Sequence, residues 1–315
     1  MFERILFPTD FSRYSVKILE GLEGLPGADE VVLVHVVDAT RPSIAGGLSY
    51  QTRVEEAKAQ LGLQAKYLQG RGLKARALVV ATTADFSGPD GADLQSLKSH
   101  IAADLIIPGD VPFAIAEVAR REGLPLLVMG ARGRGKVKGI LLGSVSRDML
   151  RQSECDLLIM RQAMLEEKGE EEFSDYCRRI LSRVVLTTDF SPAAGAALES
   201  LKTLPGPGEV ALVHVVSRGE TEEEIEGRMV EAAKKLQDLR RELEGPGIRA
   251  TVHVDSGNPA ERIVALAARV EATMIMMSSQ GKGWLQELRV GSTAFDVARM
   301  ADMPVLVVRA GEPQE

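Results

Sequence analysis

Residues 126–146, LLVMGARGRGKVKGILLGSVS, join a short apolar run to Gly130, Gly133 and Gly143, then to the hydroxyls of Ser144 and Ser146. Glycine lets a backbone turn tightly and approach a ligand with no Cβ in the way. Gly143, Ser144, Val145 and Ser146 open a helix, where first-turn N–H groups have no intrahelical partner and the positive dipole end is exposed. Phosphate suits such a place. Charge-assisted hydrogen bonds contribute about 1.5–3 kcal/mol each, so three or four sustain micromolar binding after ordering costs. Arg132, Arg134, Lys136 and Lys138 add local positive charge. Tight turns also call for glycine, so the loop alone remains compatible with a purely structural role.

Asp10 ends the first apolar run, RILFP, beside Pro8 and Thr9. A carboxylate there suits ligand hydroxyls better than phosphates; the alternative is a helix N-cap or turn residue. His35 and His214 recur at one position of a buried apolar run and read as hydrogen-bonded structural histidines rather than catalysts. His100 and His253 stand in no supporting constellation. Nucleophile-elbow, paired-histidine zinc, Walker lysine and CxxC motifs do not occur. Cys155 and Cys177 fit no metal spacing and read as packing residues in a reducing, cytoplasmic compartment.

The elements that must position these groups occur twice. Residues 4–37 lie over 183–216 without a gap, and about half the positions are identical, with TDFS, LPG and LVHVV in register. Gly143-Ser144 matches Gly291-Ser292, and the difference in spacing puts extra residues of the first copy near 81–107. Each copy reads as alternating strands and helices. Strands are predicted at 4–8, 31–37, 74–80, 125–129 and 156–160, with long helices near 50–69 and 221–244. Continuous apolar strands and this alternation predict two tandem α/β domains, each a doubly wound, Rossmann-like parallel sheet with a five-stranded core. Such sheets bind ligands beyond the carboxyl ends of their strands. The domains are assigned to 1–161 and 182–311. Between them, 162–181 begins as an acidic linker and continues with Phe173, Tyr176, Cys177 and Ile180 at helical spacing, a stripe that docks on a domain.

The composition fits soluble domains: 45% hydrophobic, 26% charged and 4% aromatic over 315 residues. A net charge of -7 offers no broad cationic face for a phosphate backbone, which argues against nucleic acid as a partner. No apolar run reaches the length of a membrane span.

Taken together, PTDFS, LVHVV and G-x2-G-x9-G-S (Gly130, Gly133, Gly143, Ser144) resemble the universal stress protein family, in its ATP-binding form and twice along the chain. The resemblance implies ATP, ADP or AMP as ligand and leaves Mg²⁺ open. It implies that Asp10 faces ribose and adenine with Pro8 and Thr9 beside it, that the Val36 backbone meets the adenine edge, and that Met129 packs on the base. Gly130, Arg132, Gly133, Gly143, Ser144, Val145 and Ser146 would hold ribose and phosphates. In the second copy the matching set is Thr187, Thr188, Asp189, Val215, Met277, Ser278, Gly281, Gly291, Ser292 and Thr293. Ser278 replaces the first glycine there, and its Cβ is expected to crowd a nucleotide and weaken that site.

The likeness also implies pairing of the two last strands, 155–160 and 303–308, as an intrachain pseudo-dimer that covers two apolar edges. A homodimer of whole chains stays open. Within the insertion, Leu94, Leu97 and Ile101 read as one face of a short helix and Ala103–Ile107 as an added strand. A lid over the ligand, a passive insertion and an interdomain contact are all compatible with it. Two functions remain in play. One is a nucleotide-responsive binding protein read by an unknown protein partner; the other is a slow ATPase or phosphotransferase, which needs a positioned base and carboxylate-held Mg²⁺.

Overall fold

The computed structural model describes residues 2–38, 49–83, 102–131, 142–161, 170–217, 219, 221–281 and 290–309. Eleven strands form one sheet in the order β4-β3-β2-β1-β5-β6-β11-β10-β7-β8-β9. The first half supplies β1 (Arg4–Pro8), β2 (Glu30–Asp38), β3 (Lys74–Thr83), β4 (Leu105–Pro108), β5 (Leu126–Ala131) and β6 (Asp156–Arg161). The second supplies β7 (Arg183–Thr187), β8 (Glu209–Val216), β9 (Arg249–Ser256), β10 (Met274–Ser278) and β11 (Val305–Val308).

Within each half the ladders are parallel; β6 and β11 alone run antiparallel, Ile159 opposite Val305 and Leu157 opposite Val307. Those apolar edges are fully buried against each other, which is the predicted pseudo-dimer. The expected core of five strands per half is met in the second. In the first half β4 adds a sixth, pairing Val80 with Leu105 and shifted slightly along from the predicted 103–107. The remainder of the insertion, including Leu94, Leu97 and Ile101 and any lid they build, lies outside the described residues.

Helices cover both faces of the sheet, as the apolar strands require. Helices Tyr50–Gly70 and Glu222–Glu244 lie on one face, where Leu61, Leu68, Leu236 and Leu243 join the core around Phe7, Leu33 and Leu212. Helices Val111–Glu122 and Pro259–Arg269 lie on the other with Met129 and Met277. The helix Glu170–Arg178 docks as its stripe predicted. Phe173 presses so closely on Gly21 that a Cβ there would lie 2.3 Å from its ring, while the Tyr176 hydroxyl donates to the Thr273 carbonyl of the second half.

Two arginines exchange across the central seam. Arg161, at the end of β6, is 2% exposed and donates to the Ala298 carbonyl, near the end of helix Ser292–Met300. Arg309, after β11, donates through Nη2 to Leu150 O at 2.6 Å and Met149 O at 3.3 Å, at the end of helix Ser144–Gln152. Each half thus holds the carboxyl end of the other's glycine-started helix, where a cation suits the dipole.

Candidate functional site

The chain leaves β1 for β2, β3 and β4 on one side, then returns to β5 on the other side of β1. In the second half β7 and β10 repeat that switch. Ligands of doubly wound sheets lie at this reversal. The carboxyl end of β1 carries Pro8, Thr9 and Asp10, and that of β5 carries Met129 and Gly130; Thr187, Thr188, Asp189, Met277 and Ser278 match them. Val36, Met129 and Val145 share one apolar cluster on one face of the sheet, with Val215 and Met277 in the same cluster in the second half.

The loop after β1 is built by local hydrogen bonds. Thr9 N donates to Val34 O at 2.9 Å, and its hydroxyl accepts from Phe11 N at 3.1 Å. Phe11 is held at φ 59°, a strained conformation for an aromatic residue, and Phe190 repeats it at φ 60°. Asp10 Oδ1 accepts from Ser12 N and from the Ser15 hydroxyl, both at 2.9 Å. Crowding by protein atoms pushes this carboxyl upward, but the Ser12 and Ser15 hydrogen bonds outweigh it and hold Asp10 below its ordinary range. The N-cap of helix Arg13–Gly21 is Ser12, so Asp10 braces the turn without being the cap.

Both repeated histidines support this loop. The His35 ring donates through Nδ1 to Thr9 O at 2.8 Å, and His214 does so to Thr188 O at 2.8 Å. The Phe11 ring stacks on His35 at 4.4 Å and Phe190 lies against His214 at 4.6 Å. Desolvation lowers the His35 pKa against the smaller raising effects of Thr9 and Asp10, so the ring is neutral at pH 7. That is the structural histidine expected from the sequence.

Helix Ser144–Gln152, which follows β5, starts at Gly143 with no side chain capping it among the described residues, and helix Ser292–Met300 starts at Gly291 in the same way. By contrast, the helices beginning after Ser12, Ser49, Asp110, Ser191, Thr221 and Asn258 are all capped by those side chains. Gly143 has φ -58°, which any residue adopts, and among the described residues a Cβ on it would meet only Ser146 Oγ at 3.8 Å. Neither its conformation nor its packing against the described residues asks for glycine there. Open amides with no Cβ before them fit an anionic ligand. Ser144 is exposed, whereas Ser146 is buried and donates its hydroxyl to Gly130 O at 2.7 Å, so it ties helix to strand rather than adding a free donor.

The two halves differ for legible reasons. A Cβ on Gly130 would lie 2.8 Å from Ile18 Cδ1, whereas the position matching Ile18 is Ala197. Glycine with isoleucine in one copy thus becomes Ser278 with alanine in the other, a packing exchange with helix Pro192–Thr203. The Ser278 hydroxyl donates to Gln280 O at 2.7 Å. Gly281 lies so close to Asp189 that a Cβ would be 2.4 Å from Oδ2, so this loop glycine meets the strand-end carboxylate directly. Thr293 is half-buried in the first turn after Gly291. Arg132 and Gly133, with Arg134, Lys136 and Lys138, lie outside the described residues. Sequence reasoning missed Ser12 and Ser15 as partners of Asp10, and Phe11 as the ring on His35; the repeated TDFS carried the signal for Phe11 and Ser12.

Among the described residues no helix is long and apolar enough to cross a membrane. The model of the universal stress protein family matches residues 1–161 and 181–309. The chain is 31% identical over 153 residues to Universal stress protein MJ0577 of Methanocaldococcus jannaschii, covering 40% of this chain and 94% of that one. It is 25% identical over 297 residues to Universal stress protein Mb2019 of Mycobacterium bovis, covering 88% and 86%. A crystal structure of a universal stress protein from Archaeoglobus fulgidus superposes with a TM-score of 0.71 at 26% identity, over 99% of this chain and 100% of that one. With the family matched in both halves and the fold shared along the whole length, this chain belongs to the universal stress protein family.

Proposed function

We propose that this protein binds an adenine nucleotide, ATP, ADP or AMP, in its first half and serves in the cytoplasm as a nucleotide-responsive regulator read by a protein partner. The observation that carries this reading is the uncapped helix start at Gly143, following β5 where the strand order reverses beside β1. The amides of Ser144, Val145 and Ser146 would take phosphate, with Gly130, Arg132 and Gly133 along the loop. Asp10 would accept from the ribose hydroxyls beside Pro8 and Thr9, and the base would lie against Met129 and the Val36 backbone. Mg²⁺ would accompany a triphosphate through its phosphates and water.

Binding is favoured over turnover by the state of Asp10. Its carboxyl lies below the ordinary range and Oδ1 already accepts two hydrogen bonds, which makes it a weak general base but a good acceptor. The second half has the same frame, with Ser278 for the first glycine, and would bind more weakly. Whole chains would associate as a homodimer of the pseudo-dimer.

Calorimetric titration with each nucleotide tests the reading. Gly143→Val fits the backbone and costs the helix about 1 kcal/mol at most, while its side chain blocks the amides. A loss of about 100-fold in first-half affinity, about 2.7 kcal/mol, is expected; unchanged affinity in a folded variant overturns the proposal. Following ADP release from ATP and Mg²⁺ separates binding from slow hydrolysis.

A further inference from the structure

The second half contains a cavity of about 210 Å³ between helix Pro192–Thr203, helix Glu222–Glu244 and the carboxyl ends of β7 and β8. Leu186, Leu198, Leu212 and Leu239 line it; the first three belong to the core cluster on one face of the sheet and Leu239 packs against that cluster. Met277 and Val215, of the proposed nucleotide site, belong to the cluster on the opposite face. The cavity therefore lies mainly on the other face and meets the proposed second-half site at Thr188.

The gapless repeat explains its origin and its shape. Leu186 matches Phe7, whose ring is fully buried in the first half, and Gly195 matches Val16. A ring has become an isobutyl group and an isopropyl group has been deleted. Gly195 is exposed at the mouth, where a Cβ on it would meet no described atom within 4 Å, so the space opens to solvent on that side. The polar atoms on the wall are already engaged: the Thr188 hydroxyl accepts from Phe190 N at 3.0 Å, and Ser191 Oγ accepts from Ala194 N at 3.2 Å. Lys235, whose Nζ lies 5.5 Å from the centre of the Phe190 ring, is paired with Glu231 at 2.6 Å, so an anion entering the cavity would have to compete with that pair for compensation of its lost hydration. Apolar cavities of about 150 Å³ take up benzene, and the first half itself seats a phenyl ring at the matching position.

We propose that this cavity is a binding site for a small neutral aromatic molecule, of benzene to indole size, which the first half cannot take because Phe7 and Val16 occupy the equivalent volume. The site does not depend on nucleotide binding.

The test uses the full chain, with indole as probe and benzoate as its charged counterpart. Amide shifts and thermal unfolding are followed in the wild type, Leu186→Phe and Gly195→Val. Indole should raise the wild-type Tm and perturb the Gly195 amide, with benzoate at least tenfold weaker. Either variant should weaken indole at least tenfold while leaving first-half nucleotide affinity unchanged. Indole binding equally well to both variants, or benzoate matching indole, overturns the proposal. So does a wild type that ignores indole while both variants gain stability, the mark of a packing defect only. If one variant fails to fold, the other and the Gly195 amide of the wild type still decide.

Discussion

Set side by side, the two halves keep the same backbone devices and exchange the side chains around them. In both, a histidine donates to the threonine carbonyl at 2.8 Å, an aromatic residue with positive φ covers the ring, and a glycine opens an uncapped helix at the sheet's reversal. Around that frame, Gly130 with Ile18 becomes Ser278 with Ala197, Phe7 with Val16 becomes Leu186 with Gly195, and Ser15 beside Asp10 becomes Ala194. A helix start of open main-chain amides tolerates such drift, because its donors belong to every residue type. Cavities do not, since their volume is the difference between side chains.

The duplication of the frame can be broken most forcefully at the histidines. His35→Ala and His214→Ala each remove a buried hydrogen bond and a stacked ring, and each should lower stability by about 2 kcal/mol in chemical unfolding. Only His35→Ala should also weaken nucleotide binding in the first half. Equal loss of that binding in both would mean that the loops are not independent.

A smaller and asymmetric effect is expected at the seam. Arg309→Met strips two carbonyl contacts from the end of helix Ser144–Gln152 and should cost about 1–2 kcal/mol. Arg161→Met should be near neutral. Desolvation pushes that guanidinium down to about 10, partly opposed by Asp302, and its Nε and Nη1 have no partner among the described residues. Replacing a poorly compensated buried charge with an apolar chain of similar volume is often harmless. Urea unfolding of the two variants compares them, and a larger loss for Arg161→Met would reverse the assignment.

The mildest test is pH-dependent. Asp156, which begins β6 and accepts from Arg309 N at 2.8 Å, is pushed up to about 6 by burial, against the lowering effect of Arg309. Its folded form holds a proton that the unfolded chain releases near 3.8, so the wild type loses stability as pH rises from about 4 to above 6. Asp156→Asn keeps the acceptor and removes the charge. It should raise stability at pH 7.5 by on the order of 1 kcal/mol, and the gain should vanish near pH 4. Melting curves at the two pH values measure it.

Much of this architecture was legible before any coordinates. The β-branched runs and amphipathic helices repeat because each element must bury its apolar side, and that requirement is written residue by residue. The second-strand run ending at Val37, the docking stripe of Phe173 and Cys177, and the pairing of the two last strands all followed. The end of the insertion was read a residue or two early, since β4 gains its identity by pairing with β3 rather than from its own short run. That Gly130 packs against Ile18 could not be read, because Ile18 is distant in sequence and adjacent only once helix Arg13–Gly21 packs on the sheet.

Sequence by itself determined the duplication, the alternation of strand and helix, and the position of glycine, serine and aspartate at the strand ends. These depend on local periodicity and on residues matched within the chain. Tertiary structure alone decided which carbonyl each histidine serves, which arginine holds which helix end, and that Leu186 and Gly195 leave a hole between them. Such facts arise from close packing among residues brought together by the sheet, and packing is a property of the neighbours as much as of the residue.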